Sequence, residues 1–202
     1  MVDFEIENGY LKDGFKVICG IDEAGRGPLA GPVYAAAVIL PPDCEIEGLN
    51  DSKKLTEKKR EALFDVIKEK AVSYGIGTAS EKEIDEINIL NATFLAMKRA
   101  VEKLEIKPDL ALVDGNREPH ISDDTKEITV VKGDAKSMSI AAASVLAKVS
   151  RDRFMLEMAE KYPQYEFRKH KGYGTKLHYE KIAEYGISEI HRRSFLKKII
   201  GE

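Results

Sequence analysis

The chain of 202 residues has no tryptophan, a single glutamine, two cysteines and four histidines. Cys19 and Cys44 form no CxxC or Cys/His ligand spacing, so neither a disulfide framework nor a zinc site is expected. Long apolar runs are also missing. The longest, VYAAAVIL at 33–40, falls far short of the roughly 20 residues a membrane span needs. The N-terminus, MVDFEIENGY, is acidic where a secretory signal would be cationic, so a reducing cytoplasm is the expected location. Repeats and low-complexity tracts are absent. Scarce Trp and Gln beside abundant Lys and Glu lean towards a heat-adapted source.

The net charge of −3 excludes little, but its distribution is informative. Residues 1–131 carry 17 Lys/Arg against 26 Asp/Glu, whereas 132–202 carry 15 against 9. A basic C-terminal third suits an anionic partner, and it equally suits a solvated helical surface. The apolar pattern gives strands at 16–22 (KVICGID), 31–40, 71–80, 109–115 (DLALVDG) and 127–131. A helix capped by Thr56 has Ala62, Leu63, Val66 and Ile67 as its inner stripe. Short and longer helices cover 81–104, an Ala/Ser-rich helix runs from Ala135 to about Glu160, and a final helix near 176–185 is closed by Gly186. Alternating helices and strands after an early hairpin predict a mixed α/β sheet with helices on its faces.

Two apolar strands end in an acid: VICGID at Asp22 and LALVDG at Asp114. A carboxylate at the rim of a buried strand is costly unless paired or metal-bound. If the two strands are parallel neighbours, both acids meet at one sheet edge, where mutual repulsion would raise a pKa unless a cation holds both ionised. Side chains alternate along a strand, so Glu23 joins Asp22 only if the chain turns at Glu23. Asp134 in VVKGDAKS reads either as a third acid or as the cap of the following helix, and Asp114 either as a ligand or as a turn residue. Several acids without His or Cys suit hard Mg²⁺ or Mn²⁺.

GIDEAGRGPLAGPVYAAAV, NDSKKLT, LVDGN, VKGDAKS with AAASVLAKVSRDR, then HKGYGTK and IHRRSF resemble the bacterial ribonuclease HII family, in order from residue 20 to 195. The resemblance implies a ribonuclease H-like α/β fold with a mixed five-stranded sheet flanked by helices. Its catalytic part would cover 1–160, with a short helical C-terminal segment over 161–202 packed on it as a single domain. An Asp rather than Glu at 134, and no extra N-terminal substrate-binding domain, favour type HII over HIII. In some relatives a longer tail after IHRRSF helps grip the duplex.

The implied activity is endonucleolytic hydrolysis of the RNA strand of RNA–DNA hybrids. It includes a cut 5′ to a single ribonucleotide embedded in duplex DNA, leaving 3′-hydroxyl and 5′-phosphate. The family's four acidic positions fall on Asp22, Glu23, Asp114 and Asp134. Asp22 would bridge two divalent ions, Mn²⁺ or Mg²⁺, with Glu23 and Asp114 on one and Asp134 on the other. The substrate phosphate would complete the shell.

Gly25-Arg26-Gly27 lets the backbone approach a ribose 2′-hydroxyl while Arg26 reaches a phosphate, although a glycine turn alone is common. By resemblance Tyr173 abuts the deoxyribose beyond the ribonucleotide; from the residues alone it reads as a surface tyrosine. Lys53, Lys54, Lys169, Lys171, Arg192 and Arg193 are candidate phosphate contacts or plain solvated charges, with Lys53 favoured by the resemblance. His170 and His191 receive no role, and Ser137 and Ser144 read as packing or capping residues. A monomer is expected, and a recruiter of the replication-clamp type is not identifiable from the chain. A dinucleotide-binding oxidoreductase fits badly, because GRGPLAG departs from G-x-G-x-x-G and a strand, not a helix, follows. Another two-metal nuclease, or a silent hybrid-binding module, would lack a use for the sugar-reading loop or for all four acids.

Overall fold

The computed structural model describes residues 2–201. In chain order, α1 (Glu5–Lys12) precedes β1 (Ile18–Ala24) and β2 (Val33–Ile39), followed by α2 (Glu57–Lys70), β3 (Ser73–Ala79) and α3 (Glu81–Glu102). Then come β4 (Leu110–Asp114), β5 (Lys126–Val130), α4 (Met138–Lys161), α5 (Phe167–His170), α6 (Lys176–Tyr185) and α7 (Arg193–Ile200). The five strands form one sheet in the order β3-β2-β1-β4-β5. Its first three strands are antiparallel neighbours, whereas β1, β4 and β5 run parallel.

Strand alternation sorts the core into two layers. Cys19, Ile21, Ala35, Ala37 and Val113 face α3, where Ala92, Ala96, Met97 and Ala100 meet them. Ala36 and Val38 face the opposite side, against α4 and against Leu63, Phe64 and Ile67 of α2. The second layer is thin because its contacts are small. A Cβ placed on Gly20 would lie 2.2 Å from the Ser139 carbonyl carbon, so α4 rests on the β1 backbone itself. The start of α4 is fixed twice over. Ser137 caps it, accepting from the Ile140 amide at 3.1 Å. Glu7 of α1, itself buried, accepts from the hydroxyls of Ser137 and Ser139, both at 2.6 Å, and from the Ser139 amide at 2.9 Å.

Four sequence expectations change. The chain does not turn at Glu23: β1 continues to Ala24, and the left-handed residue is Gly25 with φ +100°. In α2 the buried stripe is Leu63, Phe64 and Ile67, and Ala62 is exposed. Burying a phenyl ring is worth about 1.5–3 kcal/mol, several times an alanine methyl, so the helix turns its aromatic residue inward. Helix α4 starts at Met138, because Gly133–Ala135 form a separate tight turn preceded by Lys132 in the left-handed region. This removes the reading of Asp134 as the helix cap.

Finally, α6 is closed by Gly186 as expected but is not the last helix, and α1 was not anticipated. Both α1 and α7 are eight residues long, too short to persist by propensity alone. Glu7 anchors the first. The second is held by Asp85, whose carboxylate accepts from the Arg193 and Ser194 amides, and by Leu196 packed on Leu29 and Ile182.

Candidate active site

The parallel register of β1 and β4 places Ile21 opposite Val113, so Asp22 and Asp114 follow side by side at the C-terminal rim. The tight turn after β5 brings Asp134 to them. Its Gly133 amide donates to Asp114 Oδ1 at 2.7 Å, tying the turn to the β4 end. One carboxylate oxygen from each of Asp22, Asp114 and Asp134 lies within 4.8 Å of the others. Asp22 and Asp134 are buried. Burial holds the Asp22 carboxyl well above the ordinary carboxylate range, and repulsion from Glu23 and Asp114 adds to it. Two bonds favour its ionised form: one from the Ser144 hydroxyl, which also pairs with Ser52 at 2.8 Å, and one from the Glu23 amide at 2.7 Å. Asp134 is likewise raised, by burial first and then by Asp114 and Asp51.

Positive charge near this trio is sparse. The Lys53 ammonium stands 3.7 Å from Asp134 Oδ2 on a largely exposed side chain. Burial depresses its pKa, but Asp22 and Asp134, with further acids, outweigh that and the net displacement is upward. Three carboxylates with hard oxygen donors and a deficit of positive charge fit a divalent cation of the Mg²⁺ or Mn²⁺ kind.

Glu23 stands apart from the trio. With β1 extended, it projects to the α3 side and pairs with Arg26 at 3.5 Å. Burial raises its pKa and Arg26 opposes the rise. Glu23, Arg26 and Asp114 line one cleft of about 420 Å³ with Phe94, Met97 and Arg117, so the cleft reaches from the acid rim along α3. Arg117 had no sequence signal beyond its place three residues past Asp114.

The loop from Gly25 to Pro32 is the second half of the site. Arg26 and Gly27 are exposed. The Tyr173 ring, 43% exposed, comes within 3.9 Å of where a Gly27 Cβ would sit, so two motifs 146 positions apart meet at one surface. Leu29 N–H donates to the Gly172 carbonyl at 2.8 Å and pins the loop to the Tyr173 segment. Lys171 is half-buried, and its ammonium donates to the Arg168 carbonyl at 2.7 Å.

Arg192 corrects the sequence reading. It is fully buried and donates to the carbonyls of Gly31 (2.8 Å), Arg26 (2.9 Å) and Gly25 (2.6 Å), so it faces the back of the loop and is not placed to meet a phosphate. Arg151 of α4, missed by sequence reasoning, is its counterpart. It donates to the carbonyls of Ala30 (3.1 Å), Pro32 (3.3 Å) and Lys171 (3.1 Å), and its guanidinium lies 5.7 Å from the Tyr173 ring centre. Its only sequence signal is a charged residue one to two turns beyond Ser144 on a helix face of small side chains.

His170 and His191 do not reach the cleft. With His178 they form a buried cluster against Tyr165 and Phe167. The hydrogen bonds fix every proton. His191 Nδ1 accepts from the Ser188 amide at 2.8 Å, so His191 Nε2 donates to His178 Nε2 at 3.0 Å, and His178 Nδ1 donates to the Tyr173 carbonyl at 2.9 Å. Burial pushes both His178 and His191 down to about 4.

Acids at the paired ends of β1 and β4 in this strand order define the ribonuclease H-like class of metal-dependent nucleases. Comparison narrows the class. The ribonuclease HII family model matches residues 19–198. Ribonuclease HII of Caldicellulosiruptor saccharolyticus is 58% identical over 197 residues, covering 98% of this chain and 95% of its own. The crystal structure of ribonuclease H2 from Pyrococcus horikoshii OT3 superposes with TM-score 0.73 at 31% identity, over 89% of this chain and 93% of that one. The RNase HII in the PCNA:RNase HII complex from Archaeoglobus fulgidus gives 0.67 at 27%, over 88% and 94%. The chain belongs to the ribonuclease HII family, hydrolases that cleave the RNA strand of RNA–DNA hybrids and depend on divalent metal.

Proposed function

We propose that this ribonuclease incises duplex DNA 5′ to a single embedded ribonucleotide, as well as RNA–DNA hybrid, leaving 3′-hydroxyl and 5′-phosphate. The proximity of the Gly25–Gly27 loop to Tyr173, beside the acid rim, is the observation that carries the reading. Two Mn²⁺ or Mg²⁺ ions held by Asp22, Asp114, Asp134 and Glu23 supply, when bound, ionisation of the attacking water and charge relief at the phosphate. Asp22 is presented by a strand end whose own next amide fixes its carboxylate. Arg26, paired with Glu23 yet exposed, moves its guanidinium to a phosphate when substrate enters. Lys53 contributes an ammonium on the Asp134 side, with Lys171 further along the duplex path.

The exposed loop backbone takes the 2′-hydroxyl as both donor and acceptor, which deoxyribose cannot satisfy. The Tyr173 ring fills the space next to the following sugar, so a second 2′-hydroxyl there is disfavoured. The protein would act as a cytoplasmic monomer, with a sliding clamp of the PCNA type as a recruiter. The test is a labelled DNA duplex carrying one ribonucleotide, incubated with protein and Mn²⁺ or Mg²⁺. A single cut on the 5′ side, with none in the all-DNA duplex, is expected. No incision, or cleavage that ignores the ribonucleotide, rejects the proposal.

A further inference from the structure

We infer that Arg192 and Arg151 are the positioning residues that set sugar discrimination, by holding the Gly25–Pro32 backbone in its reading shape before substrate arrives. This rests on the proposed role of that loop. Two guanidinium groups with no exposed surface are expensive to bury, and apolar side chains of similar volume fill such space at lower cost. Here burial lowers the Arg192 pKa to about 9, with Arg151 adding repulsion, and lowers Arg151 too. Glu81, whose Oε1 is buried without a hydrogen-bond partner, offsets part of that charge through space.

What the pair gains is geometric. The planar fork of arginine offers donors in fixed directions. All six bonds go to main-chain carbonyls, of Gly25, Arg26, Gly31, Ala30, Pro32 and Lys171. Five of these carbonyls belong to the loop itself. The sixth belongs to the segment that carries Tyr173, so Arg151 joins the two halves of the sugar-reading surface. Gly25 is shaped to the same end, since a Cβ there would lie 2.2 Å from Arg151 Nε. With carbonyls turned inward onto guanidinium, the amides of Arg26 and Gly27 are left to face outward.

Arg192→Lys keeps a cation but loses the fork. The measurement is kcat/KM on two duplexes that differ at one nucleotide, ribo against 2′-fluoro, with Mn²⁺ affinity of the acid rim read by calorimetry. We expect the ribo/2′-fluoro ratio to fall at least tenfold, mostly through the ribo substrate, with Mn²⁺ affinity within twofold of wild type. A cooperatively folded Arg192→Lys whose ratio stays within twofold of wild type overturns the inference. If the variant does not fold, exchange of the guanidinium protons in the free wild-type protein decides. The Nε protons of Arg192 and Arg151, donated to the Gly31 and Pro32 carbonyls, should exchange at least a hundredfold more slowly than in an unstructured peptide, and peptide-like exchange overturns the inference. A wild-type ratio near one would instead fail the proposed sugar reading itself, before any variant is made.

Discussion

The acid rim and the glycine loop adjoin at the end of β1, yet they are built on opposite principles. At the rim, three carboxylates crowd within 4.8 Å, with the largely exposed Lys53 side chain close by. At the loop, two buried arginines are matched by six carbonyls. The rim is an unbalanced centre, held in place by strand register and dependent on an outside cation. The loop is balanced from within and presents the Arg26 side chain and the Arg26–Gly27 backbone outward. Chemistry and selectivity are thus separable, and changes at one should leave the other readable.

The largest effect is expected from Asp22→Asn, which preserves shape and removes charge. Turnover should fall about a thousandfold or more. Relief of buried repulsion should raise the stability of the metal-free protein by about 1 kcal/mol. Single-turnover cleavage and calorimetry in chelator measure the two; activity within tenfold of wild type would remove Asp22 from the centre. Next, Tyr173→Ala should cost about tenfold in preference for the RNA-to-DNA junction while Mn²⁺ affinity holds, since the ring touches the loop and not the acids. An unchanged cleavage pattern refutes it.

The pH response separates the regions further. Asp22 and Asp134 are raised in the folded state, so their contribution to stability is present below the unfolded carboxylate pKa and is lost as pH rises through the folded values. His178 and His191 are depressed to about 4, so their contribution is present above the unfolded histidine pKa and is lost as pH falls from roughly 6.5 towards 4. Calorimetry in chelator should therefore show the acid rim's contribution to the melting temperature shrinking as pH rises above the unfolded carboxylate value of about 4, a loss that excess Mn²⁺ or Asp22→Asn reduces. The smallest effect serves as a control. Lys107 and Asp124 pair at 2.6 Å with both side chains exposed and screened by solvent, so Lys107→Ala should leave the melting temperature and cleavage unchanged within error.

Much of this was legible in the chain. The five strands followed from apolar runs, and the meeting of Asp22 with Asp114 followed from two strands that share an ending. Asp134 was visible as an acid, but its place depended on a left-handed Lys132 and a tight turn that no periodicity announces. Alternation along an uninterrupted β1 places Glu23 on the α3 side beside Arg26, in the cleft it shares with Asp114, a position that depends on where the strand ends and that the apolar run does not mark. Arg192 read as a surface cation because charge near a C-terminus usually is one. Only the carbonyls of a loop more than 150 residues earlier explain its burial. Short helices such as α1 and α7 exist through contacts distant in sequence, which local patterning does not encode.

The chain of rings from Ser188 through His191 and His178 to the Tyr173 carbonyl admits one arrangement of hydrogens. Nitrogen-15 resonances of those imidazoles therefore form an intrinsic spectroscopic gauge of that carbonyl's position. Watching them as nucleic acid is added would report whether the aromatic wedge shifts on engagement, with no label attached to the surface that does the reading.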